Sequence, residues 1–114
     1  MLTEVIEALE TVTELKCYPF YAEKLEECII YEWTPQSDDG SKAQGRLTVR
    51  IRTATMSYAE VITSFVKDAL LSFADNTRYG AYIKHNGGGM LKNADTGYID
   101  TILYFDFIYR SGGF

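Results

Sequence analysis

The chain has 114 residues, of which 46% are hydrophobic, so we exclude a largely disordered chain and expect one folded domain over residues 1–114. Its 16 acidic and 11 basic residues give a formal net charge of -5. This charge argues against nucleic-acid binding, because such binding depends on Lys and Arg that neutralise phosphates.

The first part of the chain predicts a helix and a short strand. Apolar side chains recur at helical spacing near the N-terminus, namely Leu2, Val5, Ile6, Leu9 and Val12. Thr3 is the predicted N-cap, and the helix should end near Thr13. Cys17–Tyr21 predicts a strand at a sheet edge, since Pro19 has no amide hydrogen to donate. A polar connection is expected at Ala22–Glu27.

The next segment predicts the two strands of a long hairpin. Cys28–Thr34 is rich in β-branched and aromatic residues, and Gly45–Thr55 alternates between apolar and polar side chains. The polar positions of the second strand share one face, and they are Arg46, Thr48, Arg50 and Arg52. Pro35–Gln44, between the strands, is almost entirely polar and predicts either a mobile loop or the tip of the hairpin.

A second helix is predicted over Ser57–Ala74. Ser57 and Glu60 have the spacing of a capping box, in which each side chain bonds an amide of the first turn. Apolar residues at steps of three and four form one wide face: Tyr58, Val61, Ile62, Phe65, Val66, Ala69, Leu70 and Phe73. A face this wide requires a large apolar partner, and the predicted strands supply one.

The C-terminal part predicts further strands. Tyr79–Lys84 is the first, the triple glycine at Gly87–Gly89 should interrupt it, and Met90–Lys92 is a candidate for renewed pairing. A turn is expected at Asn93–Gly97, followed by the longest strand, Tyr98–Arg110. One face of that strand carries Asp100, Ile102, Tyr104, Asp106, Ile108 and Arg110. The last residues, SGGF, should be frayed.

This order of elements predicts an α+β fold. Runs of strands replace strict alternation of strand and helix, and the long hairpin requires antiparallel pairing. We therefore expect an antiparallel or mixed sheet of four to five strands, with two helices packed on one face.

The sequence contains few residues arranged to catalyse a reaction or to bind a metal. Cys17, Cys28 and the single histidine, His85, lack the spacing of a zinc site, so the thiols are expected to be reduced and partly buried in a cytosolic protein. Gly87–Gly89 lacks the pattern of a phosphate loop. We expect no cofactor, no metal and no catalytic activity. No apolar run approaches the length of a membrane span, and the acidic N-terminus differs from a secretory signal, so no membrane partner is expected.

The charged strand faces leave two interpretations open. Arg46, Arg50 and Arg52 could pair with Asp100 and Asp106 if the two strands are neighbours, since cross-strand ion pairs are common. Alternatively, these residues form a subunit interface in which charges fix the register between copies.

Three stretches of the chain resemble a known family. They are LTEVIEALE, the strand GRLTVRIRT with the helix SYAEVITSFVKDALLSF that follows, and TGYIDTILYFDFIYR. Together they resemble the tail terminator, tail-completion and head–tail joining proteins of long-tailed bacteriophages. The resemblance implies a virion protein, assembled in the host cytoplasm, that forms a ring, usually a hexamer, at the end of the tail tube. Such a ring stops tube polymerisation and contacts the tail-tube protein and the head connector. The polar hairpin at 34–45, with Asp38 and Asp39, and the Gly-rich segment at 85–97 would suit such contacts.

Two other interpretations remain open. One is another virion component, such as a minor capsid or tail-tube protein. The other is a regulatory α+β domain that binds a small molecule between the sheet and the helices. A deep pocket would favour the binding domain, whereas a flat surface with extended loops would favour assembly.

Overall fold

Five strands form one mixed sheet, and two helices cover one of its faces. The computed structural model describes residues 2–21, 26–74 and 81–111. Its elements are, in chain order, α1 (Leu2–Thr13), β1 (Cys17–Pro19), β2 (Cys28–Asp38), β3 (Lys42–Thr53), α2 (Met56–Ala74), β4 (Tyr82–Lys92) and β5 (Ile99–Arg110). The predicted α+β class, strand number and helix placement are confirmed.

The strand order is β1-β2-β3-β5-β4, so β3 lies at the centre of the described sheet. Only β1 and β2 run parallel, and the other neighbours are antiparallel. β1 is an edge strand, as Pro19 requires, although it ends at Pro19 and is shorter than predicted.

The core lies between the helices and the face of the sheet that we call the inner face. Along β3, Leu47, Val49 and Ile51 point inward and are fully buried. The other buried side chains of the core come from both helices and from β2, β4 and β5, and they include Val5, Leu9, Ile29, Ile62, Val66, Leu70, Ile83, Phe105 and Phe107. Neither helix of the described residues packs on the opposite face, which we call the outer face.

The β2–β3 hairpin is longer than the predicted strands. Main-chain pairing continues to Asp38 opposite Ala43, so the turn comprises only residues 39–41. β5 holds the other side of β3 here, with Ala43 opposite Tyr109. The prediction of a hairpin tip is therefore confirmed, and the alternative prediction of a mobile loop over Pro35–Gln44 is wrong. Polar side chains were compatible with a strand because the ladder is made by backbone groups.

Both predicted helix caps are wrong. α2 begins one residue earlier than predicted, and Thr55 is its N-cap: the Thr55 hydroxyl accepts a hydrogen bond from the amide of Tyr58 at 3.2 Å. The Thr55 carbonyl also accepts from the amide of Ala59 at 3.1 Å. Ser57 consequently lies in the first turn. Thr3 likewise lies inside α1, which extends from Leu2.

β4 runs through the triple glycine that was expected to interrupt it. A bulge between His85 and Gly88 absorbs the irregularity, and pairing continues to Lys92. Gly88 has φ +151°, and an added Cβ would collide with the carbonyl oxygen of Ile102, so the bulge requires glycine here. Renewed pairing at Met90–Lys92 and the turn at Asn93–Gly97 are confirmed.

Some sequence predictions fall outside the described residues. The connection at Ala22–Glu27 is described only at its last two residues, and the strand predicted from Tyr79 is described from residue 81. Of the C-terminal SGGF, only Ser111 is described.

Trp33 covers the backbone of β3 at Gly45 on the inner face. Its indole ring also lies edge-on to Phe107, with the ring centroids 5.4 Å apart, and 5.9 Å from the ring of Tyr109. An added Cβ at Gly45 would collide with the indole. The absence of a side chain at Gly45 therefore lets the tryptophan close the hairpin end of the core.

The apolar stripe of α2 is wider than its buried part, which leads to a prediction about stability. Leu70 is fully buried, whereas Phe65 is 45% exposed, contrary to the uniform face expected from the sequence. Leu70→Ala should lower the free energy of unfolding by about 2–5 kcal/mol, because it leaves a cavity. Phe65→Ala should cost clearly less. Urea unfolding curves of the two variants measure this, and equal losses would contradict the packing described.

Gly45→Ala should destabilise the protein by about 1–3 kcal/mol, because the new methyl group must displace the Trp33 ring. Gly89→Ala is the matched control, since an added Cβ there has no atom within 4 Å. Tryptophan fluorescence reports the ring directly, as Trp33 is the single tryptophan. An unchanged spectrum and melting curve for Gly45→Ala would show that the ring does not lie over Gly45.

Candidate assembly surface on the outer face of the sheet

Register brings the predicted charges together on the outer face. Arg46 lies opposite Asp106, and Arg52 lies opposite Asp100, because β3 and β5 are adjacent and antiparallel. Both pairs have the guanidinium Nε 2.9 Å from the nearer carboxylate oxygen. Cross-strand pairing, one of the two interpretations of these charges, thus describes four of the five residues.

The Arg52–Asp100 pair is buried. Arg52 is 8% exposed, and it donates from Nε to Oδ1 at 2.9 Å and from Nη2 to Oδ2 at 3.2 Å. These hydrogen bonds raise the pKa of Arg52, so it stays charged. Arg52 therefore supports the sheet from within and offers little surface to a partner.

The Arg46–Asp106 pair is partly exposed and belongs to a larger network. Asp106 also accepts a hydrogen bond from the side-chain amide of Asn86 at 2.6 Å. The hydrogen bond from Arg46, followed by that from Asn86, lowers the pKa of Asp106. The Arg46 guanidinium carbon lies 5.4 Å from the centre of the Tyr104 ring. The network links β3, β4 and β5 in one row across the outer face.

Arg50 differs from both neighbours. It is exposed and lies opposite Ile102, and it forms no hydrogen bond or ion pair within residues 2–21, 26–74 and 81–111. It lines a shallow hollow of about 170 Å³ with Phe20, Ile30 and Glu32. Of the three arginines predicted on this face, Arg50 is therefore the one whose side chain is exposed and available to another molecule.

Exposed apolar residues surround these charges, and the sequence analysis did not single them out. Phe20, Tyr82 and Leu91 are each at least 60% exposed, and Ile108 is also exposed. Tyr82 lies opposite Ile108, and Leu91 lies opposite Asp100, so both belong to the outer face. The sequence did contain a sign of these exposed apolar residues: Ile108 is apolar at a position that the strand's alternation assigns to the polar face.

The acidic residues of the hairpin tip shape its turn. Asp38 accepts hydrogen bonds from the amide of Gly40 at 2.9 Å and from the hydroxyl of Ser111 at 2.8 Å. Asp39 accepts from the amides of Lys42 at 2.7 Å and Ser41 at 2.9 Å, and these bonds lower its pKa. Both carboxylates therefore have a structural role and remain exposed at one end of the sheet.

Chemically reactive groups do not converge in the described parts of the chain. No group of three His, Cys, Asp or Glu residues there could hold a metal ion. His85 packs against Phe105 on the inner face, with ring centroids 5.2 Å apart. Burial raises the pKa of the Cys17 thiol to about 12, and Cys28 is fully buried. Neither described helix is long and apolar enough to cross a membrane.

Comparison with known proteins gives a likeness in fold. No family model matches the chain, and no curated protein matches it. Among solved structures, a chain of the "Virion of native gene transfer agent (GTA) particle" is similar, with a TM-score of 0.65 and 12% sequence identity. The alignment covers 96% of this chain and 92% of that chain. The two chains thus share a fold over nearly their whole lengths.

The two ion pairs should differ in their effect on stability. Arg52→Met leaves Asp100 buried without its partner and should cost about 3–5 kcal/mol. Arg46→Met affects an exposed pair and should cost about 0–1 kcal/mol. Adding Asp100→Leu to Arg52→Met should recover much of the loss, because it removes the unpaired carboxylate. Urea unfolding of the three variants tests this, and equal costs for Arg46→Met and Arg52→Met would contradict the assignment.

Proposed function

We propose that the chain is a virion structural protein that forms a closed ring at the end of a tail tube. It acts as a tail terminator or head–tail joining subunit, which stops tube polymerisation and docks to the head connector. The observation that carries the proposal is the shared fold with a chain of a gene transfer agent virion, over nearly all of both chains. The sequence resemblance to tail terminators supports the finer role.

The outer face supplies the kind of surface that such a ring needs. Neither described helix packs on this sheet face, and the face presents Arg50 together with exposed aromatic and aliphatic side chains. Arginine and aromatic residues are enriched where proteins bind one another. The subunit interface in this proposal centres on Arg50, with the Arg46–Asp106 and Arg52–Asp100 pairs holding its strands in register.

The ring in this proposal is the usual hexamer, and it has further contacts along its axis. The hairpin tip, with Asp38 and Asp39, lies at one end of the sheet and suits contact with the tail-tube protein or the head connector. The acidic subunit also suits a lumen through which DNA passes, because it does not attract phosphates. The role requires no catalysis, cofactor or membrane, and assembly takes place in the host cytoplasm.

The space between the sheet and the helices is filled by side chains, which favours assembly over small-molecule binding. Leu47, Ile51, Ile62 and Val66 fill its centre and are at most 1% exposed. The hollows on the outer face, of about 170 and 250 Å³, are smaller than the usual ligand pocket of about 300–1,000 Å³. The groove between α1 and α2, of about 330 Å³, lies at the lower end of that range.

Deletion of the gene for this chain from the genetic element that carries it tests the proposal. Electron microscopy should show tails of uncontrolled length and tails that fail to join heads, and the wild-type chain supplied in trans should restore normal particles. Joined, full-length tails without the chain would contradict the proposal. Defective or missing heads would indicate a capsid role instead.

The same complementation assay tests the interface. Arg50→Glu should fail to restore normal tails. The variant should still fold normally, because Arg50 has no ion pair to lose in the described subunit. Lys92→Glu is the matched control: it makes the same charge change at an exposed strand residue that points to the inner side of the edge. Full restoration by Arg50→Glu would exclude Arg50 from the interface.

A further inference from the structure

The helix layer and the outer face carry opposite charges. α1 and α2 contain five acidic residues and one basic residue, for a formal charge of -4. Of these, Glu7, Glu60 and Asp68 are exposed, and α1 contains no basic residue. The surface of the subunit that faces away from the sheet is therefore acidic.

The outer face is basic. Its strand positions carry six basic residues, namely Lys42, Arg46, Arg50, Arg52, Lys84 and Arg110, and three acidic ones, namely Glu32, Asp100 and Asp106. The formal charge of this face is therefore +3. Two of the three acidic residues are committed to internal pairs, whereas Arg50 is exposed, as are Phe20, Tyr82 and Leu91 of the same face.

Exposed apolar residues occur on the helix layer as well. Val61, Phe65 and Leu71 of α2 and Val12 of α1 are each more than 40% exposed. A groove of about 330 Å³ lies between the two helices and is lined by Ala8, Val12, Ala69, Ser72 and Phe73. Both surfaces thus combine apolar side chains with a charge, and the charges have opposite signs.

We propose that the outer face of one copy packs against the helix layer of the next copy. Charge complementarity favours this arrangement, since contact between two outer faces, or between two helix layers, would oppose like charges. The contact joins different surfaces of identical chains, and such heterologous contacts generate rings when the rotation closes. The inference rests on the proposed ring and specifies its interface: the groove between α1 and α2 receives exposed apolar residues of the outer face, such as Phe20 beside Arg50.

Cross-linking at two positions distinguishes this contact from the alternatives. One variant carries Arg50→Cys on the outer face, and the second carries Glu7→Cys on the exposed side of α1. A flexible bismaleimide tolerates an unknown register between the two thiols. The natural cysteines contribute little, because Cys28 is buried and the Cys17 thiol is protonated at neutral pH.

The reaction is run on concentrated purified protein and on particles produced with both variants. A mixture of Arg50→Cys and Glu7→Cys chains should give a covalent dimer, and a chain with both changes should give a ladder of higher species. Each single variant alone should remain monomeric, as should the mixture of Arg50→Cys with Asp95→Cys, which places the thiol in the turn after β4. The yield of covalent dimer should fall in high salt, because the charges that bring the two chains together are screened.

Three results would overturn the inference. They are dimers of Arg50→Cys alone, which indicate contact between two outer faces; a cross-link from Arg50→Cys to a protein of different mass in particles; and no cross-link in either preparation. The proposed function fails separately, if particles assemble normally without the chain. A ladder in purified protein together with normal particles in the deletion strain would support the contact and reject the tail role.

Discussion

The register of the central strand fixes both faces of the sheet at once. β3 is paired along its whole length with β5, from Lys42 opposite Arg110 to Thr53 opposite Ile99, and with β2 on its other side. A shift by one residue would move Leu47 and its apolar neighbours to the outer face and bury arginines in the core. This register closes the core. It also places Arg52 beside Asp100 and leaves Arg50 opposite an isoleucine.

The asymmetry between the two sides of the subunit follows from this arrangement. Both helices pack on the inner face, so their acidic, solvent-facing residues form one surface and the outer face of the sheet forms the other. In an isolated subunit, the outer face exposes Phe20, Tyr82 and Leu91 to water. A virion ring would cover such a surface and would give the free side chain of Arg50 a partner. The proposed assembly role thus accounts for the surface composition of the outer face.

Sequence periodicity predicted those features that depend on local pattern. The faces of β3 and β5, the end of α1 and the edge position of Pro19 are all visible in alternation, helical spacing or backbone chemistry. The sequence predicted the hairpin but left Pro35–Gln44 open between a loop and a paired tip, because backbone groups hold these polar residues. The bulge at Gly88 depends on contact with Ile102. Alternation placed the arginines on one face, but only the partners on β5 show which are paired. The width of the apolar stripe on α2 also could not show which of its residues contact the sheet and α1, and Phe65 remains partly exposed.

The central claim is that the outer face is covered by another copy of the chain in an assembled particle. Electron cryomicroscopy of particles from the encoding element measures this most directly, at a resolution that shows side chains. The account predicts a closed ring at the head-proximal end of the tail, with Arg50 of each copy against α1 and α2 of the next. An outer face open to solvent, or copies related by a two-fold axis through Arg50, would contradict it.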